Sequence, residues 1–198
     1  LSMLCLAAQN GRNTTWPETA YRRFNEAANM TERIGALAAL VDSHSQFASD
    51  ALQQFHTMFK GEALVIDKWF ALQARAPEPV GVGAGSAFAR AKALMSHPDF
   101  SLKNPNRARS LLFTLTMFNP AAFHRRDAAG YVFWAERLIE LDAINPSVAG
   151  RLARVMDRWS HLAEPYRSAA REAVARVAAR SELSAEVREI VNRALETK

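Results

Sequence analysis

Two arginines stand close together in the stretch NPNRARS, residues 104–110, at a place where positive charge is unfavourable. Asn104 is a good N-cap and Pro105 fits the first helical position. A helix is therefore expected to start here, with its unpaired N–H groups and the positive end of its dipole facing outward. Arg107 and Arg109 add charge of the same sign. A guanidinium is a planar, permanently charged fork that donates in bidentate fashion, so the chemistry these residues offer is recognition of a carboxylate or of backbone carbonyls. Either the two arginines merely sit in solvent, or something negative, such as a carboxylate, meets them.

Other chemistry is sparse. The histidines are His44, His56, His97, His124 and His161. None lies in a His-Glu-x-x-His motif and no two are four apart, the spacing that puts two metal ligands on one helix face, so spacing marks no metal site among them. His124, after NPAAF, reads as a structural hydrogen-bonding group near a helix end. There is no Gly-x-Ser-x-Gly elbow and no P-loop. GVGAGS at 81–86 follows APEPV rather than a strand of a βαβ unit, and reads as a loop. Asp67 and Lys68 are adjacent, and adjacent helical residues point apart, so they read as two separate polar contacts rather than an acid/base pair. Cys5, among apolar residues, reads as a small buried hydrophobe, and Trp69, Trp134 and Trp159 as core. No catalytic apparatus is complete, and the residues by themselves reach only a scaffold or binding module.

The elements that must position these groups are helices. Apolar residues recur at three and four positions nearly throughout, with no sustained alternation, so the fold class is all-α. About ten to twelve helices are expected, a count that carries the usual boundary error. Candidate spans are 17–28, 31–42, 47–59, 63–75, 86–96, 105–118, 131–142, 146–159, 164–180 and 184–197. Thr31 and Ser184 are expected caps. Short links make consecutive helices antiparallel neighbours. The longest break, APEPVGVGAG at 76–85, is expected to be an exposed, flexible loop or a joint. Asn-Pro recurs at Asn104, Asn119 and Asn145, each time before a helical pattern. Such a row of similarly capped pairs points to a superhelical solenoid of HEAT or armadillo type, a single helical domain over 1–198.

The net charge is +5, and it is uneven: residues 1–100 hold nine basic and nine acidic side chains, residues 101–198 sixteen and eleven. Near the C-terminus these charges interleave at helical spacing, which fits solvated faces with i,i+4 pairs rather than a nucleic-acid surface. No apolar run reaches the roughly 20 residues that span a bilayer, and LSMLCLAA lacks the flanks of a signal peptide, so no membrane partner is expected. One cysteine allows no internal disulfide, and a reducing compartment, the cytoplasm, is the expectation. The chain opens at Leu1 on an apolar, helix-like stretch and is expected to be the C-terminal piece of something longer.

Several motifs occur together: DKWFALQ at 67–73, HPDFSLKNPNRARSL at 97–111, NPAAFH at 119–124, Gly130-Tyr131, and NPSVAGRL at 145–152, with NMTERIGALAAL at 29–40 upstream. In this order and at these spacings they resemble the C-terminal domain of the bacterial aminopeptidase N family, over nearly the whole chain. Enzymes of that family carry a thermolysin-like domain in which His-Glu-x-x-His and a downstream glutamate hold zinc, and a Gly-x-Met-Glu-Asn segment holds the substrate's amino group. Neither motif is present here, so the resemblance places catalysis and the zinc cofactor in another domain of a parent polypeptide, the partner of this one, and implies that zinc does not bind this chain.

The resemblance implies a helical superhelix that closes over the catalytic domain and shapes the route of peptide substrates. The second arginine of the family's Asn-Pro-Asn-Arg-x-Arg segment and the arginine of Asn-Pro-x-x-Ala-x-Arg-Leu face the cavity, which makes Arg109 and Arg151 the expected substrate-binding residues. The alternative for each is a salt bridge within the domain or to the catalytic domain, and that alternative weighs most for Arg107. Ser147 ranks below them. A reading of a different class also stands, a free-standing helical-repeat module that binds an acidic protein through its basic second half.

Overall fold

The computed structural model of the chain describes Met3 and residues 15–78 and 85–196. Among the described residues there is no strand, and helices follow one another through short links. The first group is α1 (Thr15–Glu26), α2 (Met30–Asp42), α3 (Ala48–Phe59) and α4 (Ala63–Arg75), followed by α5 (Ser86–Leu94). A continuous helix then runs through α6 (Pro105–Ala108), a π-helical turn (Arg109–Phe113) and α7 (Thr114–Phe118), ahead of the short α8 (Pro120–Phe123). The last group is α9 (Ala129–Asp142), α10 (Pro146–Ala153), two 3-10 turns (Arg154–Met156 and Trp159–His161), α11 (Tyr166–Ala178) and α12 (Ala185–Glu196).

Packing runs mostly between chain neighbours. α1 lies on α2, α2 on α3, and α3 on α4, while α4 carries the 105–118 helix; α9 packs on α10 and α11, and α12 on both of those. The three Asn-Pro pairs work alike. Asn104 accepts from the amides of Asn106 and Arg107, Asn119 from Ala122 and Asn145 from Val148, each with proline at the start of the helix. Each side chain satisfies donors that the helix leaves unpaired, and proline removes one more. At the opposite end of α1, Arg33 donates to the carbonyls of Phe24 and Ala27 at 2.8 Å, pairing acceptors that a helix C-terminus exposes.

The expected tryptophans are core, and each also ties two elements together. Trp69 donates its indole N–H to Leu52, Trp134 to Leu152 and Trp159 to Ala194, all at 2.9 Å. Buried Asp142, at the end of α9, accepts from both the amide and the hydroxyl of Ser184 at 2.8 and 2.6 Å, which locks α9 to the start of α12.

The helical spans follow the sequence pattern with local differences. The cap of α2 is Asn29 rather than Thr31. The span expected at 146–159 breaks into α10 and two 3-10 turns, and the helix expected at 164 starts after Pro165. Of the loop expected at 76–85, residues 79–84 lie outside the described residues, as does Cys5. The two flanks of that loop are held: Asn119 donates to the carbonyls of Ala74 and Ala76, and Glu78 accepts from the Gly85 and Ala87 amides and the Ser86 hydroxyl at the start of α5. No described helix is long and apolar enough to cross a membrane.

Candidate functional site

The two arginines of NPNRARS have different fates. Arg107 is buried against α4. Its Nε donates to Asp67 Oδ1 at 2.6 Å, one terminal nitrogen donates to the Asp99 carbonyl, and the guanidinium lies 4.9 Å from the centre of the Phe70 ring. Its place at a helix start is therefore compensated: the Asp67 carboxylate answers both the guanidinium and the positive end of the dipole. Asp67 is thereby engaged, while Lys68, one residue on, is exposed, and both border the groove that Arg109 lines.

Arg109 opens the π-helical turn and is half-buried. Its Nη1 reaches Asn106 at a long 3.4 Å, and its Nε is buried without a partner among the described residues. A guanidinium has five donors and no acceptor, so this one retains unused donors. It lines an open groove of about 510 Å³ between α4 and the 105–118 helix. Leu64, Phe113, Met117 and Phe118 make the groove apolar, and Lys68 stands on its rim. Leu64, Met117 and Phe118 are 67%, 55% and 68% exposed, far more than large apolar side chains need to be in a fold with this much core. Asp67 also lines the groove, but its carboxylate is paired with Arg107, which leaves Arg109 and Lys68 as cations over an apolar floor; that suits an anionic group attached to an apolar one, the make-up of a peptide end.

Next to this groove is a recess lined by Asp42, Arg75, Thr114 and Phe118. Asp42 and Arg75 are paired at 3.7 Å, and burial pushes the Asp42 carboxyl up more than the neighbouring arginine pulls it down. A larger recess of about 690 Å³ at the α1–α2 corner sets Arg23 against Glu26 and Glu32, so its lining is net negative and does not suit a carboxylate.

Arg151 is exposed on the last turn of α10, where a cation suits the dipole, and among the described residues it has no hydrogen bond or ion pair. Gly150 beside it is buried, and a Cβ there would meet Glu186 Oε1 at 2.5 Å, so α12 passes close by. Arg109 and Arg151 stand on different helix groups, and Arg151 does not line the groove that Arg109 does. Ser147, on the same helix, is exposed.

The histidines separate by role. His124 ends α8, and its Nδ1 shares a 2.8 Å hydrogen bond with the Tyr131 hydroxyl, the structural part expected of it. His56 on α3 and His97 on the turn after α5 come together with Asp99, at ring centres 5.1 Å apart. Burial lowers the His97 pKa, with Asp99 opposing. Sequence spacing could not find this group, since 41 residues separate His56 from His97 and only the His-x-Asp of 97–99 is local. It also could not find the π-helical turn that orients Arg109, nor Lys68 as its neighbour across the groove.

Comparison with known proteins places the chain. Residues 1–196 match the family described as "Domain of unknown function (DUF3458_C) ARM repeats". Aminopeptidase N of Caulobacter vibrioides is 40% identical over 172 residues, 87% of this chain and 19% of that protein. Aminopeptidase N of Escherichia coli is 34% identical over 174 residues, 88% of this chain and again 19% of the relative. The chain thus spans about a fifth of the length of these relatives. The structure of Legionella pneumophila aminopeptidase A in complex with aspartic acid superposes with a TM-score of 0.84 at 28% identity, over 92% of this chain and 21% of that one. The armadillo-type repeat agrees with the solenoid expected from the Asn-Pro helices. The chain belongs to the DUF3458_C armadillo-repeat family and is homologous to the C-terminal region of aminopeptidase N.

Proposed function

We infer that this chain is the helical cap of a zinc-dependent aminopeptidase, a domain that covers the active-site cavity and receives the body of the peptide while the N-terminal residue is removed elsewhere in the parent. The observation that supports it is the match over nearly nine-tenths of this chain to a fifth of aminopeptidase N. The reading includes a cytoplasmic location, which rests on the lone cysteine.

The catalytic zinc of such an enzyme does not fit this chain. There is no His-Glu-x-x-His in the sequence, and the one grouping of potential metal ligands among the described residues has no glutamate to serve as a general base. What this chain contributes is position. A peptide with its amino end in the catalytic domain would send its backbone and carboxylate toward the cap. There the unused donors of Arg109 would take carbonyl or carboxylate oxygens, with Lys68 as a second cation and Leu64, Met117 and Phe118 against side chains. Arg151, unpaired and exposed, would act from a second wall.

The test uses the full-length parent. Arg109→Ala and Arg151→Ala should weaken processing of peptides of several residues by roughly tenfold, the loss of one charge-assisted hydrogen bond, and leave a one-residue chromogenic substrate nearly unchanged. Equal effects on both substrates would mean a purely structural role. The 198-residue chain alone should not cleave aminoacyl-anilides, and metal-dependent turnover by it would overturn the reading.

A further inference from the structure

We propose that His56, His97 and Asp99 form a binding site for a zinc-class divalent cation, one that clamps α3 to the turn between α5 and α6. One ligand atom from each of the three residues lies within 4.8 Å of the other two. His56 Nε2 is 2.6 Å from Asp99 Oδ2, and His97 Nδ1 is 3.9 Å from the same oxygen. Ligands bound at about 2.0–2.2 Å in a tetrahedron are about 3.3 Å apart, so the two separations bracket what an ion needs, one shorter and one longer. Two imidazoles and one carboxylate are the donor set that zinc, cobalt and nickel favour, and the exposed side of Asp99 leaves a fourth position for water.

The surroundings hold the ligands in place. The Trp69 ring packs against both imidazoles at 5.1 Å between ring centres, and its own indole N–H is fixed to the Leu52 carbonyl. The turn carrying His97 and Asp99 is closed by the bond from the Phe100 amide to the His97 carbonyl at 2.8 Å, and Arg107 holds the Asp99 carbonyl. These contacts do for the ligands what outer partners do in metal sites, which is to fix their orientation before the ion arrives. Arg107 is the nearby cation that would oppose binding. Its charge is answered by Asp67 at 2.6 Å, which leaves the Asp99 carboxylate as the uncompensated charge facing the imidazoles.

Binding exchanges the hydrogen bond between His56 and Asp99 for the ion: the proton on His56 Nε2 leaves that nitrogen, the neutral ring keeping its proton on Nδ1, so that neutral imidazole nitrogens and the carboxylate are the ligands. His97 Nδ1, which accepts the Asp99 amide at 3.1 Å, turns its lone pair to the metal. The expectation that came with the family resemblance, that no zinc binds this chain, and this cluster point in opposite directions.

The experiment titrates the chelator-stripped 198-residue chain with cobalt(II), followed by its visible d–d absorption, and then displaces cobalt with zinc. The expected result is one equivalent with the strong absorption of four-coordinate cobalt, and a melting temperature that rises with zinc. Asp99→Asn, His56→Gln and His97→Gln should each weaken binding by at least about tenfold, the lower end of what loss of even an outer partner costs. His161→Gln, on an exposed residue elsewhere, should leave binding unchanged. Should a variant fail to fold, ¹⁵N imidazole spectra of the unsubstituted chain decide, with zinc expected to shift His56 and His97 and to spare His124. Absence of saturable binding, binding unaltered in all three variants, or shifts confined to other histidines would overturn the site.

Discussion

Arg107→Met tests the division of labour between the two arginines most directly. In the fold, Arg107 is 5% exposed, and its partner Asp67 has a side chain only 13% exposed. The substitution keeps most of the apolar volume but removes the ion pair, the bond to the Asp99 carbonyl and the contact with the Phe70 ring. It leaves a mostly buried carboxylate without its cation, and breaking a buried pair from one side costs about 3–5 kcal/mol. Asp67 sits near the rim and gains some water, which favours the lower end. For a chain of this size that is a fall in melting temperature of roughly 6–12 °C. The assay is urea unfolding of Arg107→Met, Asp67→Leu and the double variant. The double variant should be no worse than the poorer single one, giving a coupling of about 2 kcal/mol or more, because both charges leave together. Arg109→Ala, whose side chain makes only a long contact to Asn106, should shift the midpoint by less than about 0.5 kcal/mol. A loss under about 1 kcal/mol for Arg107→Met, or additive single effects, would refute the buried-pair argument.

Three further perturbations follow from the packing. Gly130 is buried where α9 crosses α8, and a Cβ there would fall 2.0 Å from the Phe123 carbonyl oxygen, so Gly130→Ala should destabilise by about 2–3 kcal/mol or more, measured by thermal unfolding; a neutral result would mean the two helices part freely. Asn119→Ala strips the buried carbonyls of Ala74 and Ala76 of their donor and removes the α8 cap, for about 2–4 kcal/mol; in the same measurement a loss below about 1 kcal/mol would show that water replaces the amide. Burial, with a smaller push from Tyr166, raises the Tyr131 hydroxyl to about 12, above its unfolded value near 10. Its contribution is therefore whole below about pH 10 and disappears as the pH climbs toward 12, up to about 2–3 kcal/mol. His124 is lowered by burial, so its contribution holds above its unfolded value of 6.5 and is lost as the pH falls below it. Urea midpoints across pH should fall at both ends, and Tyr131→Phe should flatten the alkaline fall; an alkaline fall identical in the variant would rule out Tyr131 as its source.

What the sequence determined by itself is what depends on near neighbours. The period of the apolar residues makes helices, the three Asn-Pro pairs start them through side chains that reach only two or three positions along, and Trp69, Trp134 and Trp159 have to go inside because of their size. His124 near a helix end is legible for the same reason. The family followed from motifs in order, which is also information held along the chain.

Tertiary structure decided everything that needs two distant segments in one place. Arg107 and Arg109 are alike in sequence and two positions apart, roughly 200° around a helix, and only the packing of α4 on one side shows that the first meets Asp67 while the second opens on a groove. The π-helical turn at Arg109–Phe113 adds a residue to the helical repeat, so the face that Arg109 presents cannot be read from a 3.6-residue period. His56 and His97 come together for the same reason: no spacing rule relates residues on separate elements, and the Trp69 ring that supports both belongs to a third.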